Sequence, residues 1–516
     1  MDTILILDFG SQYTQLIGRR VRELGVYSEI LPGESALDAQ CLKDCVGIIL
    51  SGSPYSAYEA GSPQPHPSVF ASGLPLLGIC YGIQRMTFDQ GGKVQRLAER
   101  EYGRKKVCLE ASNPLFADVA EKFTSWMSHG DSILTPAPGW KAIARSDGGI
   151  IAALAHVEHP HWGVQFHPEV SHCEYGLKIL ENYVLGVCKA EKSWSMEAYL
   201  AREAQLIRSK VGKDPVLLLI SGGVDSTVAG AFLLETLDPS QVYLLYIDTG
   251  LMRKAESQEV MNNLSSLGAT HLRMVDAENE FLSALAGVDD PEKKRKIIGD
   301  LFITIQEREV GALGIPDAFL VQGTLYTDLI ESGKGVGAKA QVIKSHHNVR
   351  SPLVEKKRAA GRVIEPLDRL YKDEVRSFGK ILGLPPHVVG RHPFPGPGLG
   401  VRILGEVTRE KCDILRAADA IFIDELRSRG LYDKIWQAFC VLLPVRSVGV
   451  AGDERRYGFV VALRAVTSED GMTAGVYPFE AKDLIEISSV ITNRVPAVGR
   501  VAYDISSKPP ATIEWE

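Results

Sequence analysis

A chain of 516 residues predicts about three domains at roughly 150 residues each. With 45% hydrophobic and 23% charged residues, it is neither wholly disordered nor fibrous. The 57 basic and 64 acidic side chains give a formal charge of −7, which speaks against general nucleic-acid binding while leaving room for a local basic patch. No apolar run approaches the roughly 18 residues of a membrane helix, so no membrane partner is expected. Met1 to Leu5 lacks the basic region and cleavage site of a leader and reads as a strand. Eight scattered cysteines without a Cys-x-x-Cys predict no disulfide framework and a reducing, cytoplasmic setting.

In chain order, Ile4–Leu7 reads as a strand and Gln12–Leu24 as an amphipathic helix. Val46–Leu50 and Leu74–Ile79 are further strands, the last leading into a helix from Gly82. This alternation predicts a parallel sheet flanked by helices over residues 1–190. Ser195–Lys210 reads as a helical connector. The pattern restarts with a strand at Val216–Ile220, a helix at Thr227–Leu237 and strands at Val242–Ile247 and Ala318–Val321, predicting a second α/β domain over 191–390. The Pro- and Gly-rich run from Arg391 to Leu399 marks a boundary, as a hinge or an ordered loop. A helix at Lys411–Arg429 and a strand at Phe459–Ala465 predict an α+β domain over 391–516.

Three constellations carry chemistry. Gly78-Ile79-Cys80-Tyr81-Gly82 joins a strand to a helix in the pattern of a nucleophile elbow. The sharp turn needs both glycines, and a cysteine at a helix N-terminus is favoured as thiolate. Gly163-Val164-Gln165-Phe166-His167-Pro168-Glu169 supplies a base and a carboxylate to orient it. His156, His159, His161, His172 and Cys173 lie nearby, at spacings that fit no metal-ligand template.

The second constellation is Ser221-Gly222-Gly223-Val224-Asp225-Ser226, between a strand and a helix. Its glycines let backbone N–H groups converge on an anion, the serines add donors, and Asp225 suits Mg²⁺ bridging phosphates. No Walker P-loop occurs in the chain. The third is the C-terminal Tyr503-Asp504-Ile505-Ser506-Ser507-Lys508-Pro509-Pro510-Ala511-Thr512-Ile513-Glu514-Trp515-Glu516, with Trp436-Gln437-Ala438-Phe439 and the His392–Leu399 loop.

Cys80, His167 and Glu169, with Leu50-Ser51-Gly52-Ser53-Pro54 and Met127-Ser128-His129-Gly130-Asp131, resemble the class I glutamine amidotransferases. The resemblance implies that Cys80 attacks the glutamine amide, His167 shuttles the proton and Glu169 orients it. It further implies an oxyanion hole near Gly52 and Tyr81, with Gln84 helping to hold glutamine. Gly52-Ser53-Pro54 departs from the family's common Gly-Gly-Pro. The Ser221–Ser226 loop resembles the pyrophosphate loop of the N-type ATP pyrophosphatases, which implies adenylation with ATP as co-substrate and an adenine-nucleotide α-hydrolase-like parallel sheet. In Tyr246-Ile247-Asp248-Thr249-Gly250, expected beside the adenine, Thr249 replaces the family's common Asn.

The C-terminal motifs resemble the glutamine-hydrolysing GMP synthase family, and the three motifs in this order extend the resemblance over the whole chain. It implies XMP as acceptor, an adenyl-XMP intermediate and no prosthetic group. It also implies XMP contacts from Arg295, Lys344, Gln437, Arg500, Lys508, Ile513 and Glu514, and a homodimer through a small α+β C-terminal domain. Arg350-Ser351-Pro352-Leu353-Val354 departs from the family's usual Gly-Gly-Leu-Pro. The Pro/Gly loop is expected either to close over the adenylate as a lid or to be a static linker. Two other readings stay open on the residues alone: a different adenylating amidotransferase, and a glutamine- or nucleotide-binding protein without turnover.

Overall fold

A computed structural model describes residues 1–325, 352–451, 454–468 and 473–516. Two compact units divide them, with the break at Arg202/Glu203, inside the helix Met196–Val211.

The first unit is built on strands whose apolar side chains alternate between two faces. Strand β1 (Thr3–Asp8) sends Ile4 and Ile6 into one core cluster and Leu5 and Leu7 into another. Burial on both faces is the mark of a parallel sheet centre. Accordingly β2 (Tyr27–Pro32), β1, β3 (Cys45–Leu50), β4 (Leu76–Ile79) and β9 (His161–Val164) are parallel neighbours in that order. The sheet then continues antiparallel through β8 (Ile151–His156), β7 (Trp140–Ser146), β5 (Lys93–Leu109) and β6 (Lys122–Thr135). The expected parallel sheet is thus mixed, with nine strands among the described residues. The antiparallel half was hidden because strands such as β6 alternate buried and open positions and carry many polar side chains. The helix Thr14–Glu23 packs Ile17 and Val21 into the core. The helix Tyr81–Asp89 follows β4 directly, with Cys80 as the only residue between them.

In the second unit, β12 (His271–Asp276), β11 (Val242–Asp248), β10 (Val216–Ile220), β13 (Phe319–Val321) and β14 (Val363–Ile364) form a parallel sheet in that order. The helix Val224–Thr236 leaves β10 through the Gly-rich turn and is buried along most of its length. A second sheet pairs β15 (Gln437–Ala451) and β16 (Glu454–Thr467) antiparallel. On it β17 (Gly475–Val476) extends β16, and β18 (Val498–Tyr503) runs parallel to β16. The β15 register shifts between Leu443 and Arg446, where Pro444 cannot donate to a ladder. The helix Arg409–Ser428 starts at Thr408, whose side chain accepts from Lys411 N–H.

Residues on both sides of Arg391 share one core. Ile247, Leu251 and Ile298 from before it share a hydrophobic cluster with Leu415, Phe422, Val461 and Val498 from after it. The Pro/Gly run is pinned there. Leu399 N–H donates to Leu251 O at 2.7 Å, and a Cβ on Gly398 would meet the same oxygen at 2.3 Å. His392 stacks on Tyr432 at 3.8 Å between ring centres. It is an ordered loop rather than a hinge between separate cores.

Candidate functional site

In the first unit the turn from β4 to the next helix is forced. A Cβ on Gly78 would lie 2.5 Å from Ile83 N, and one on Gly82 would lie 2.3 Å from Leu50 O. Cys80 adopts φ 53° and ψ −105°, a strained conformation for a residue with a Cβ, and its N–H is held by Val164 O at 2.8 Å. The next strand in the sheet, β9, ends at Val164, so the chain carries His167 and Glu169 to the same edge. His167 Nδ1 lies 2.7 Å from Glu169 Oε1, and both residues are buried. Burial alone would push the His167 pKa down. The Glu169 carboxylate and then the Cys80 sulfur outweigh it and hold it well above the usual imidazole range.

Around this core, the Tyr13 ring meets the imidazole edge-on at 4.9 Å, and Arg20 Nε holds Glu169 O at 3.0 Å. Gly52 borders the imidazole: a Cβ there would lie 3.5 Å from His167 Cε1. Tyr81 begins the helix and donates its hydroxyl to Pro63 O at 2.6 Å. Gln84 is turned inward. Its Nε2 donates to Asp131 O at 2.8 Å and Gln165 Oε1 at 3.1 Å, so its amide hydrogens are committed to the protein rather than offered to a ligand. Gln165 then reaches Cys80 Sγ at 3.7 Å. The sequence motif contains Gln165, yet spacing alone gives no sign that it faces the sulfur.

In the second unit the Ser221–Ser226 turn is knit by its own hydroxyls. Ser226 Oγ accepts from Ser221 N–H at 3.2 Å and lies 3.1 Å from Ser221 Oγ. Gly222 has φ 78°, Gly223 has φ −73° and immediately precedes the helix, and Val224 is its first residue. The turn therefore opens backbone N–H groups at a helix N-terminus, a ready anion site. Asp225 Oδ2 pairs with Lys372 Nζ at 2.9 Å, whereas its buried Oδ1 has no protein partner. A hard cation fits that second oxygen. Strand β11 ends beside the turn, and Asp248 Oδ1 accepts from Gly250 N–H at 2.9 Å.

A chain of side chains runs from this turn to the C-terminal motif. Arg391 donates to Gly222 O at 2.6 Å, pairs with Glu256, and lies 5.7 Å from the Phe394 ring centre. Arg402 lies 4.9 Å from the same ring centre and 4.0 Å from that of Phe439. It forks onto both oxygens of Glu514, at 3.1 and 2.8 Å. Gln437 Nε2 joins Glu514 Oε1 at 2.8 Å. Arg402 and Lys372 were not anticipated, since a lone cation in sequence reads as solvated surface.

Of the other predicted contacts, Arg295 donates to the main-chain oxygen of Glu516. Its neighbour Lys294 is fully buried on Ile403 O and Glu516 Oε2. Ile513 is buried, and its carbonyl accepts from Arg464 Nε at 3.3 Å. Arg500 is exposed on β18, and Lys508 is half-buried where its backbone bridges Ala474. Lys344, Arg350 and Ser351 lie outside the described residues. Among the described residues no group of three or more His, Cys, Asp or Glu side chains is arranged to hold a metal ion, and no helix is long and apolar enough to cross a membrane.

Residues 5–187 match the model of class I glutamine amidotransferases, and residues 424–515 match the GMP synthase C-terminal domain. A GMP synthase [glutamine-hydrolyzing] from Bartonella henselae is 50% identical, over 100% of this chain and 99% of that protein. Its namesake from Brucella suis gives the same identity and coverage. A solved protein from Thermoplasma acidophilum, provisionally named as one component of a GMP synthase, is 31% identical over 37% of this chain and 94% of its own, with a TM-score of 0.34. With half of its residues shared along its full length, the chain belongs to the glutamine-hydrolysing GMP synthase family.

Proposed function

We propose that this chain converts XMP, ATP, glutamine and water into GMP, AMP, pyrophosphate and glutamate through two linked reactions. In the first unit Cys80 gives its proton to His167 and its sulfur attacks the side-chain amide of glutamine. Glu169 holds the imidazole and balances its charge. N–H groups near Gly52 and Tyr81 receive the oxyanion. The amide C–N bond breaks, His167 returns the proton to the departing ammonia, and water cleaves the thioester to glutamate.

In the second unit the Ser221–Ser226 turn cradles the ATP phosphates. The XMP C2 oxygen attacks the α-phosphate, pyrophosphate leaves, and ammonia then displaces AMP at C2. Asp225, through its unpartnered Oδ1, would hold Mg²⁺, which neutralises phosphate charge during this transfer. Arg295, Gln437, Ile513 and Glu514 are read as XMP contacts, together with Arg500, Lys508 and Lys344. The observation that carries the reading is the run Gly222–Arg391–Phe394–Arg402–Glu514–Gln437. It supports reading the phosphate turn and the acceptor residues as parts of one site. Val448 and Tyr457, cross-strand partners that are both exposed, support packing of a second copy on the C-terminal sheet.

The decisive assay supplies ATP, XMP and glutamine and measures AMP, pyrophosphate and GMP together. Cys80→Ala should abolish glutamine-dependent GMP formation and leave ammonia-dependent formation intact. Equal loss of both would sink the two-reaction reading.

A further inference from the structure

Two buried amides stand behind the nucleophile. Gln84 is 3% exposed and Gln165 1%. Their orientation has one solution. The Asp131 carbonyl can only accept, so the Gln84 atom 2.8 Å from it is the nitrogen. The same nitrogen lies 3.1 Å from the Gln165 amide, which must present its oxygen there. Gln165 is thereby obliged to turn Nε2 to Cys80 Sγ, at 3.7 Å. Its backbone is fixed as well, with N–H on Ala152 O at 2.8 Å. An amide N–H aimed at a neutral thiol is a weak use of a buried donor, whereas the same N–H aimed at a thiolate is charge-assisted.

We propose that Gln165 is a donor to the Cys80 thiolate in glutamine hydrolysis, held in that role by Gln84. When the Cys80 proton passes to His167, negative charge gathers on Sγ and the Gln165 contact strengthens. When sulfur bonds to the amide carbon and ammonia departs with the His167 proton, the charge is gone and the contact relaxes. Hydrolysis of the thioester by water restores it. The titratable groups around the sulfur are His167 and Glu169 after β9, and Tyr13 against the imidazole. At the far end of the amide chain, His129 Nδ1 sits 2.9 Å from Asp131 O and its Nε2 faces Glu101.

The test uses the full-length protein with Gln165→Met, which keeps the volume and removes the donor. Alkylation of Cys80 by iodoacetamide is followed against pH. Loss of a donor to a charged acceptor should move the thiolate midpoint up by about one pH unit, the tenfold factor that about 1.4 kcal/mol represents. The more basic thiolate is also the better nucleophile, with a Brønsted slope of about 0.45. Alkylation should therefore fall about threefold below the midpoint and rise about threefold above it. The two pH curves cross, which a merely structural role would not produce. Gln84→Met should give a smaller shift in the same direction, because the Gln165 amide can then turn over, and it carries the test if Gln165→Met does not fold. Coincident curves for the folded variants and the parent overturn the inference. The inference rests on the proposed thiolate chemistry, and Cys80→Ala separates the two. Glutamine hydrolysis persisting without Cys80 defeats that chemistry, whereas hydrolysis lost in Cys80→Ala with unshifted Gln165→Met curves defeats only the role of Gln165.

Discussion

Gly82→Ala tests whether the elbow is set by packing against its neighbouring strand. The added Cβ would lie 2.3 Å from Leu50 O, 2.8 Å from Leu50 Cβ and 2.9 Å from Leu50 C. Two of these atoms are backbone in β3, whose neighbours β1 and β4 hold it on both sides, so no rotamer change relieves the clash. Overpacking of this kind costs up to about 3 kcal/mol. Alanine recovers about 1 kcal/mol in helix propensity, leaving a net loss of about 2 kcal/mol. For a unit of this size that lowers the melting temperature by roughly 4–8 °C. Relief by displacement would move Cys80, the residue before the helix, so glutamine hydrolysis should fall further than stability alone explains while ammonia-dependent GMP formation persists. Gly186→Ala is the internal control, since a Cβ there meets nothing within 4 Å and its φ is not positive. Calorimetry and a glutaminase assay on both variants decide the matter. A Gly82→Ala protein that melts with the parent and hydrolyses glutamine normally would refute the packing argument.

Glu169→Gln removes the carboxylate that raises the His167 pKa, and should lower glutamine-dependent turnover by about 10²–10⁴-fold with ammonia-dependent turnover unchanged. Because the folded pKa is raised, the His167 contribution to stability is fully present below about pH 6.5 and is lost as pH rises from there through the higher folded pKa. Stability measured against pH for this variant should lack that loss. Asp225→Asn should suppress AMP and pyrophosphate release at least tenfold while leaving glutamine hydrolysis alone, and an unchanged Mg²⁺ dependence would remove the assigned role. Glu514→Gln strips the forked partner from the fully buried Arg402 and should cost about 3 kcal/mol in denaturant unfolding, with a raised KM for XMP; a loss below about 1 kcal/mol would contradict the pairing. His392 accepts from Ala438 N–H at Nδ1 and donates to Tyr432 O from Nε2, and burial pushes its pKa down to about 4. Because the folded value lies below the unfolded one, its contribution to stability is complete above about pH 6.5 and is lost as pH falls toward 4. Imidazole resonances that show His392 protonated at pH 6 would refute this.

Elements whose signal is local were legible from the residues alone. The apolar runs at Ile4–Leu7, Val46–Leu50 and Val216–Ile220 lie in strands, and Gly78 and Gly82 bracket Cys80 because no other residue fits beside Ile83 N and Leu50 O. The turn at Ser221–Ser226 was equally legible, since a glycine such as Gly222, at φ 78°, adopts a conformation that residues with a Cβ rarely take. Tertiary structure alone decided what depends on distant partners. The antiparallel half of the first sheet is built from strands such as β6, whose many polar side chains hide the strand pattern until the neighbouring ladder forms, and residues on both sides of Arg391, Leu251 and Leu399 among them, share one hydrophobic core. The same holds for single charged and amide side chains. Arg402 is a buried anchor only because Phe394, Phe439 and Glu514 converge on it, and Gln165 faces sulfur only because Asp131 O orders Gln84 first. Backbone propensity is written residue by residue, but the direction of a hydrogen bond is set by the acceptor that the fold brings to meet it.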